Sequence, residues 1–386
     1  PTHNDRRTMT DDVMQVAEAP AGLPDTAERL LRGLGAGPFA VVIVFVSPHA
    51  RVDDTMRRLS VALSPSPVIG CTTAGEIGRQ GYAEDSVIAI ALPARLFRAA
   101  PLLIADLGSL DAQAVIGDMI RARGALMRQA PDWAHEFAFL MVDGLSTKED
   151  ALAAALAPGL GSVPLFGGSA ADGARFLQTF VYFQGRPLRN AAVLTMIRSA
   201  CPVRVFKFDH FEPTAQRMVV TGADPLRRLV QSINAEPAAL EYARLLGKDP
   251  GQLTPFTFAA HPVVVRLGGQ HHVRSIRQVD ENGDLVFFSA IDEGMVLTLA
   301  EPQDVATHLA RELDGLAEPT PPAAILACDC VLRRIEVQEK QMTAQISTLL
   351  RAHRVVGFST YGEQLNSMHV NQTMTGVAIY PPPRAT

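Results

Sequence analysis

The chain reads as an α/β protein built from repeated strand, helix, strand, Gly-turn, strand units, and two observations carry that reading. The heptad Gly70-Cys71-Thr72-Thr73-Ala74-Gly75-Glu76 returns as Gly357-Phe358-Ser359-Thr360-Tyr361-Gly362-Glu363, sharing the pattern G-x-[ST]-T-x-G-E. Each copy also follows a β-rich run and a helical stretch and precedes another apolar run, an order expected of duplicated α/β architecture.

Taken in order, residues 1–24 are polar and then rich in Ala, Pro and Gly, and are expected to form a flexible lead-in. The first unit follows, with a strand over 39–47, a helix over 53–63, the turn at Gly70 and a strand over 87–92. A weaker copy has a strand over 137–143, a helix over 148–156, the glycine turn Gly167-Gly168-Ser169-Ala170-Ala171-Asp172-Gly173 and a strand over 191–197. β-rich stretches over 180–183, 203–208 and 217–221 complete an N-terminal domain, 25–233. A helix over 237–246, with Pro in its first turn, opens a C-terminal domain, 234–383. That domain continues with strands near 263–266 and 273–279, then the hairpin turn Glu281-Asn282-Gly283-Asp284 into 285–289. A helix over 302–313 and a Pro-rich break at 318–322 precede the last unit: a strand over 323–328, one long helix over 332–350, the turn at Gly357 and a strand over 375–380.

Composition narrows the function. The 386 residues, 47% of them hydrophobic, suffice for two domains with real cores. With 35 basic and 40 acidic residues, a net charge of -5 and no dense basic tract, nucleic acid is not an expected partner. Apolar runs are too short to span a bilayer and the polar N-terminus has no secretory core, so a cytoplasmic, membrane-free protein is expected. Four cysteines are too few for a disulfide framework.

The glycine turns have the spacing of a phosphate loop, but the essential lysine is replaced by Glu76 and Glu363, and a carboxylate beside a triphosphate repels it. They read either as structural turns, with Thr and Glu tying down neighbouring backbone, or as walls of a small-ligand pocket formed with Thr73, Glu76, Thr360, Tyr361 and Glu363. Glu76 and Glu363 could make an acid/base pair, yet no nucleophile or metal cluster accompanies them, and the expectation is that the protein is not an enzyme. Among ten histidines, His261 stands before Pro262 and a valine run, as a core residue or as an axial ligand facing an apolar cavity. His369 follows the last Gly turn, as a ligand contact or a structural hydrogen bonder. His271-His272 read as a hairpin end and His210 as a turn residue. Cys328-Asp329-Cys330 reads as buried thiols at a strand end, since no further ligand pair has zinc spacing.

These segments resemble the FIST family of sensory proteins, which have N-terminal and C-terminal FIST domains. The likeness lies in residues 68–77, in Leu165 to Asp172, and in Gly357 to Glu363 with His369 and Asn371-Gln372-Thr373. It implies a receptor for small molecules such as amino acids that signals to partner domains. Residues 258–266, 273–276, 328–334 and 369–373 are similar to a nitric-oxide-sensing, haem-binding branch of the family. Where generic members look like Tyr-Pro, this chain has His261-Pro262. The resemblance therefore implies non-covalent haem b with His261 as the metal ligand, His369 as the next candidate, and Arg266 and Arg274 pairing with the propionates. It also implies output through a histidine kinase, as in a two-component system, or a cyclic-di-GMP enzyme. A homo-oligomer is compatible with this reading. The alternative is a haem-free receptor for an amino-acid-like metabolite.

Overall fold

The computed structural model describes residues 13–48 and 52–383, and the three repeats expected from the sequence each form the same α/β unit. In the first unit an outer strand Gln15–Pro20 leads through helix Thr26–Leu34 to the central strand Phe39–Val46, then through helix Val52–Ala62 to strand Val68–Thr72. A hairpin, Glu76–Gly78 with Gly81–Ala83, precedes the return strand Ser86–Pro93. The second unit repeats this order from Phe97–Ile104 to Ala192–Ser199, and the third from Val203–Phe208 to Met374–Ile379.

Within each unit the sheet runs outer, return, central and parallel partner strand, and its last two places are filled by another unit's hairpin. The second unit's hairpin adds to the first sheet, with Val181 opposite Cys71. The third unit's adds to the second sheet, with Glu363 opposite Gly168, and the first unit's to the third, with Glu76 opposite Phe358. This cyclic exchange makes a core of pseudo-threefold symmetry. No unit has a complete sheet alone.

Side-chain alternation explains how the three sheets meet. On the central strand, Val41, Ile43 and Phe45 join a shared inner core, while Val42, Val44 and Val46 face the helices outside. Successive strand residues point to opposite faces, so a run of eight apolar residues serves a strand covered on both sides. The inner core also holds Phe137, Phe139 and Phe166 from the second sheet and Leu326, Cys328 and Phe358 from the third. Phe45 and Phe358 stack there at 4.4 Å.

The third unit carries an insert between its outer strand and helix Val305–Leu316. It runs from strand Phe211–Asp224 to strand Val296–Pro302 and forms an eight-stranded sheet around helices Ala238–Leu246 and Pro255–Ala260. The end strands of this sheet, Gln270–Arg274 and Ile276–Val279, are separated only by Ser275, so the sheet curls back on itself. The hairpin expected at Asn282-Gly283 is present, with Gly283 at φ +83°. The expected domain division at 233/234 falls inside this insert.

Several expectations are corrected. Gln15–Pro20 pairs with Ser86–Pro93 as an edge strand with half its residues buried, so order begins well before Asp25; residues 1–12 of the expected lead-in lie outside the described residues. The single helix over 332–350 is two, Val331–Glu339 and Thr343–Ala352, broken where Gln341 takes φ +57°. Arg333, Arg334 and Glu336 on it are buried, not surface charges. His210 is no exposed turn residue. It is fully buried at the neck of the insert, where its carbonyl accepts from Gln303 N at 2.7 Å. Its Nδ1 must accept from Arg333 Nη1 (2.9 Å), because a guanidinium can only donate, so Nε2 donates to Glu336 Oε2 (2.8 Å).

The glycines opening the turns are positioned alike. Gly70 lies opposite Val44, Gly167 opposite Leu140 and Gly357 opposite Ala327 on the parallel neighbour, and a Cβ at each would strike that residue's carbonyl oxygen. Overpacking against backbone costs about 1–3 kcal/mol. Gly70→Ala and Gly167→Ala are therefore each expected to lose about that much stability in urea denaturation. Gly315→Ala, in a helix with open space around it, should be neutral or slightly stabilising. Equal behaviour of all three variants would contradict the repeat.

Candidate functional site

The glycine turns are braced from within, and Ala74 and Gly75 of the first and Gly173 of the second line a cavity of about 260 Å³. Thr73 Oγ1 donates to Glu76 Oε1 (2.5 Å) and accepts from Gly75 N (3.2 Å), while Ser86 Oγ donates to Glu76 Oε2 (2.9 Å). The third unit repeats the brace: Thr360 Oγ1 bonds Glu363 and accepts from Gly362 N (3.2 Å), and Thr373 Oγ1 donates to Glu363 Oε2 (2.7 Å). Thr73, Glu76, Thr360 and Glu363 are all fully buried and none lines a cavity described here, which favours the structural of the two readings made from the sequence. Burial pushes the carboxyl of Glu76 up to about 7 and that of Glu363 up to about 8, against the pull of their hydroxyl donors.

Tyr361 differs from those four. Its hydroxyl donates to Asp172 and accepts from the amides of Asp172 and Phe176 (both 3.2 Å). Its ring stacks on Phe176 at 4.4 Å, and Phe288 of the insert lies 5.8 Å from Phe176. An aromatic floor is thus built from the second unit, the third unit and the insert.

The insert is clasped onto this floor by polar contacts. Asn371 Oδ1 accepts from Ser275 N (3.3 Å) and Ser289 Oγ (2.8 Å). Gln372 accepts from Ser275 Oγ (2.8 Å) and donates to Ala259 O (2.8 Å). Arg228 Nη2 reaches Glu149 (2.5 Å) and Asp150 (3.2 Å) at the start of helix Glu149–Leu160. Between the two bodies is a cleft of about 120 Å³, lined by Gly144, Leu145, Thr147 and Phe176 of the core and by Arg228, Arg277 and Phe288 of the insert, among others.

Buried polar atoms without protein partners concentrate here. Of eleven among the described residues, five belong to this interface: Nε of Arg228, Arg274 and Arg277, Nε2 of His369 and Nδ2 of Asn371, and of these Arg228 and Arg277 line the cleft. Buried polar groups are normally satisfied, so a cluster of exceptions marks a place where water or a ligand belongs. Gln364 Nε2 donates to His369 Nδ1 (3.2 Å), which leaves the proton on Nε2. Burial lowers the His369 pKa and keeps the ring neutral.

The four residues expected to hold haem do not converge. His261 caps helix Pro255–Ala260 and is half-buried on the wall of a separate cavity of about 500 Å³, with Leu245, Leu246, Leu299, Ala300 and Glu301. That cavity opens under a bulge where three residues, 214–216, are left out of the pairing between Pro213 and Arg217. Burial lowers the His261 pKa, the neutral form a metal ligand needs. Arg266 is exposed on strand Val263–Leu267, whereas Arg274 is buried and donates to the His369 carbonyl (3.0 Å). His369 is sealed against Gly362, whose missing side chain makes room for it. The residues present offer a single axial imidazole on a wall that mixes Leu245, Leu246, Leu299 and Ala300 with Thr214, Gln216 and Glu301, and they supply no guanidinium for the propionates. Among the described residues no three His, Cys, Asp or Glu side chains form a metal cluster, and no helix is long and apolar enough to cross a membrane.

Sequence reasoning did not single out Phe176, Arg228, Arg277, Glu149 or Asp150. They come from four separated segments, and no local pattern ties them together. The FIST N domain model matches residues 40–236 and the FIST C domain model residues 238–366. No curated protein matches the chain. The two domain matches carry no finer branch.

The buried carboxyls make stability pH-dependent in a definite direction. With its folded pKa raised to about 8, Glu363 keeps in the native state a proton that the unfolded chain releases from about pH 4.5 upward. Its contribution therefore falls as pH rises through that window. Urea denaturation at pH 5, 6, 7 and 8 should show stability declining less with pH in Glu363→Gln than in the parent; a steeper decline in the variant would refute the raised pKa.

Proposed function

The chain belongs to the FIST family, whose domains are sensory modules of signal transduction that bind small ligands, and we propose that this protein receives its ligand in the cleft between the insert and the threefold core. The observation that carries this reading is that Arg228 and Arg277, whose buried Nε atoms have no protein partner, both line the cleft, beside three more such atoms of Arg274, His369 and Asn371 at the same interface. A ligand there touches Arg277 and Phe288 on one side and Leu145, Thr147 and Phe176 on the other. It therefore favours the docked insert over an undocked one, and differential affinity of this kind is what converts binding into a signal. A volume near 120 Å³ holds about four waters, at roughly 30 Å³ each. At a ceiling of about 1.5 kcal/mol per heavy atom, so small a ligand binds no tighter than the micromolar range, which suits a metabolite.

In this reading the protein is cytoplasmic, performs no chemistry of its own, and passes its state to a separate partner such as a histidine kinase or a cyclic-di-GMP enzyme. A second reading, a haem-based nitric oxide sensor, is favoured by one observation, His261 on the wall of a cavity of about 500 Å³.

Hydrogen exchange on the full chain, titrated with a panel of small organic acids, amides and amines, separates the two. Slowed exchange is expected at residues 144–147, 275–277 and 286–288. In parallel, protein incubated with haem is followed by absorption. A Soret band that shifts with nitric oxide and is lost in His261→Ala, with protection at 214–216 and 299–301 in place of the cleft, would move the function to the second cavity.

A further inference from the structure

Three guanidiniums meet where the insert docks, and their charges are unevenly matched. Arg228 is engaged by both Glu149 and Asp150. Arg274 is buried and has no carboxylate at salt-bridge distance among the described residues; Asp150 is the acidic group whose field it feels most. Arg277 likewise has no ion-pair partner among the described residues, and its guanidinium lies 5.2 Å from the Phe176 ring centre. Both carboxylates within salt-bridge distance of this trio are on Arg228, while the neighbouring buried Asp143 and Asp172 are held by hydroxyls and backbone amides, so one guanidinium at the cleft wall is left without an ion pair.

Geometry assigns that charge. Arg228 is paired with Glu149 and Asp150 and Arg274 donates to the His369 carbonyl, whereas the guanidinium of Arg277 lies over the Phe176 ring. Arg277 also lines the cavity, as Arg274 does not. At the rim Arg227 is exposed and lies near Asp284, which stands beside Asp280, so it adds no buried charge. Arg277 is half-buried with its Nε sealed from solvent, an arginine keeps its proton there, and a partly desolvated unpaired cation is relieved when an anion joins it. The planar guanidinium matches a carboxylate with two parallel hydrogen bonds.

We infer that the cleft binds a small organic monoanion, a carboxylate with no cationic group, and that Arg277 is the residue that holds it. The inference rests on the cleft being the ligand site. A ligand ammonium has no free carboxylate to meet, since Glu149 and Asp150 are both engaged by Arg228, and in so small a volume it would lie close to two guanidiniums. A dianion would bring two charges to the single guanidinium at the cleft wall that has no ion pair.

The test is calorimetric titration of the full chain, at matched ionic strength, with acetate, propionate, acetamide, methylammonium, glycine and sulfate. Acetate and propionate are expected to bind at least about tenfold more tightly than the other four, the worth of a charge-assisted pair. Arg277→Gln should remove that preference and Arg277→Lys should keep part of it. Both variants are checked for parental thermal unfolding, and Arg277 is only half-buried. Acetamide or glycine binding as well as acetate, sulfate binding better, or an Arg277→Gln protein that still prefers acetate would overturn the monoanion while leaving the cleft as the site. Hydrogen exchange that shows none of the six probes protecting residues 144–147 or 286–288 would remove the cleft itself, and the inference with it.

Discussion

Everything in this molecule depends on the close approach of backbone at the glycine that opens each turn. At Gly70, Gly167 and Gly357 the parallel neighbour's carbonyl occupies the space a side chain would need. The chain then leaves its own sheet and delivers a hairpin to another. The Thr and Glu that follow in the first and third turns hold the exit with buried hydrogen bonds. Since each sheet is finished by another unit's hairpin, the three units stand or fall together, and the aromatic stack of Phe45 on Phe358 lies at their junction.

The insert breaks this symmetry and makes the site. It enters and leaves through a neck where His210 bonds Glu336, Arg333 and, through its carbonyl, Gln303, and it closes on the core through Asn371 and Gln372. These polar contacts flank an apolar cluster in which Ala259 and Phe288 of the insert meet Val331, Leu332 and Tyr361 of the core. An interface held by hydrogen bonds and ion pairs, with several donors left over, leaves room for a polar guest to decide how firmly it closes.

Electrostatics separates this interface from the rest of the interior. Elsewhere Arg333 is paired with Asp329 (2.8 Å) and Arg198 with Glu136 (3.0 Å), and the buried Asp143 and Asp172 are held by hydroxyls and backbone amides. The buried carboxyls in the turns are accommodated by raised pKa values and by hydroxyl donors. Where the insert meets the core, Arg277 lines a cavity with no acid at salt-bridge distance among the described residues, a pattern expected of a binding surface more than of a scaffold.

The sequence by itself determined the α/β class, the repeats and the equivalence of Gly70 and Gly357, because these are local: a glycine at a crowded position, a Thr and Glu three apart, an eight-residue apolar run for a doubly covered strand. It also carried the Asn371-Gln372-Thr373 motif, without its meaning. Which sheet each hairpin completes was not legible, since a hairpin's own sequence is the same whether it pairs at home or with a neighbour. Nor was the early start of order at Gln15–Pro20, where a short stretch becomes a strand only through its pairing with Ser86–Pro93. The cleft was decided by tertiary structure alone. Phe176, Arg228, Arg277 and Tyr361 stand far apart along the chain, and their shared surface exists only because the insert curls back at Ser275 and docks on a core that three units close together.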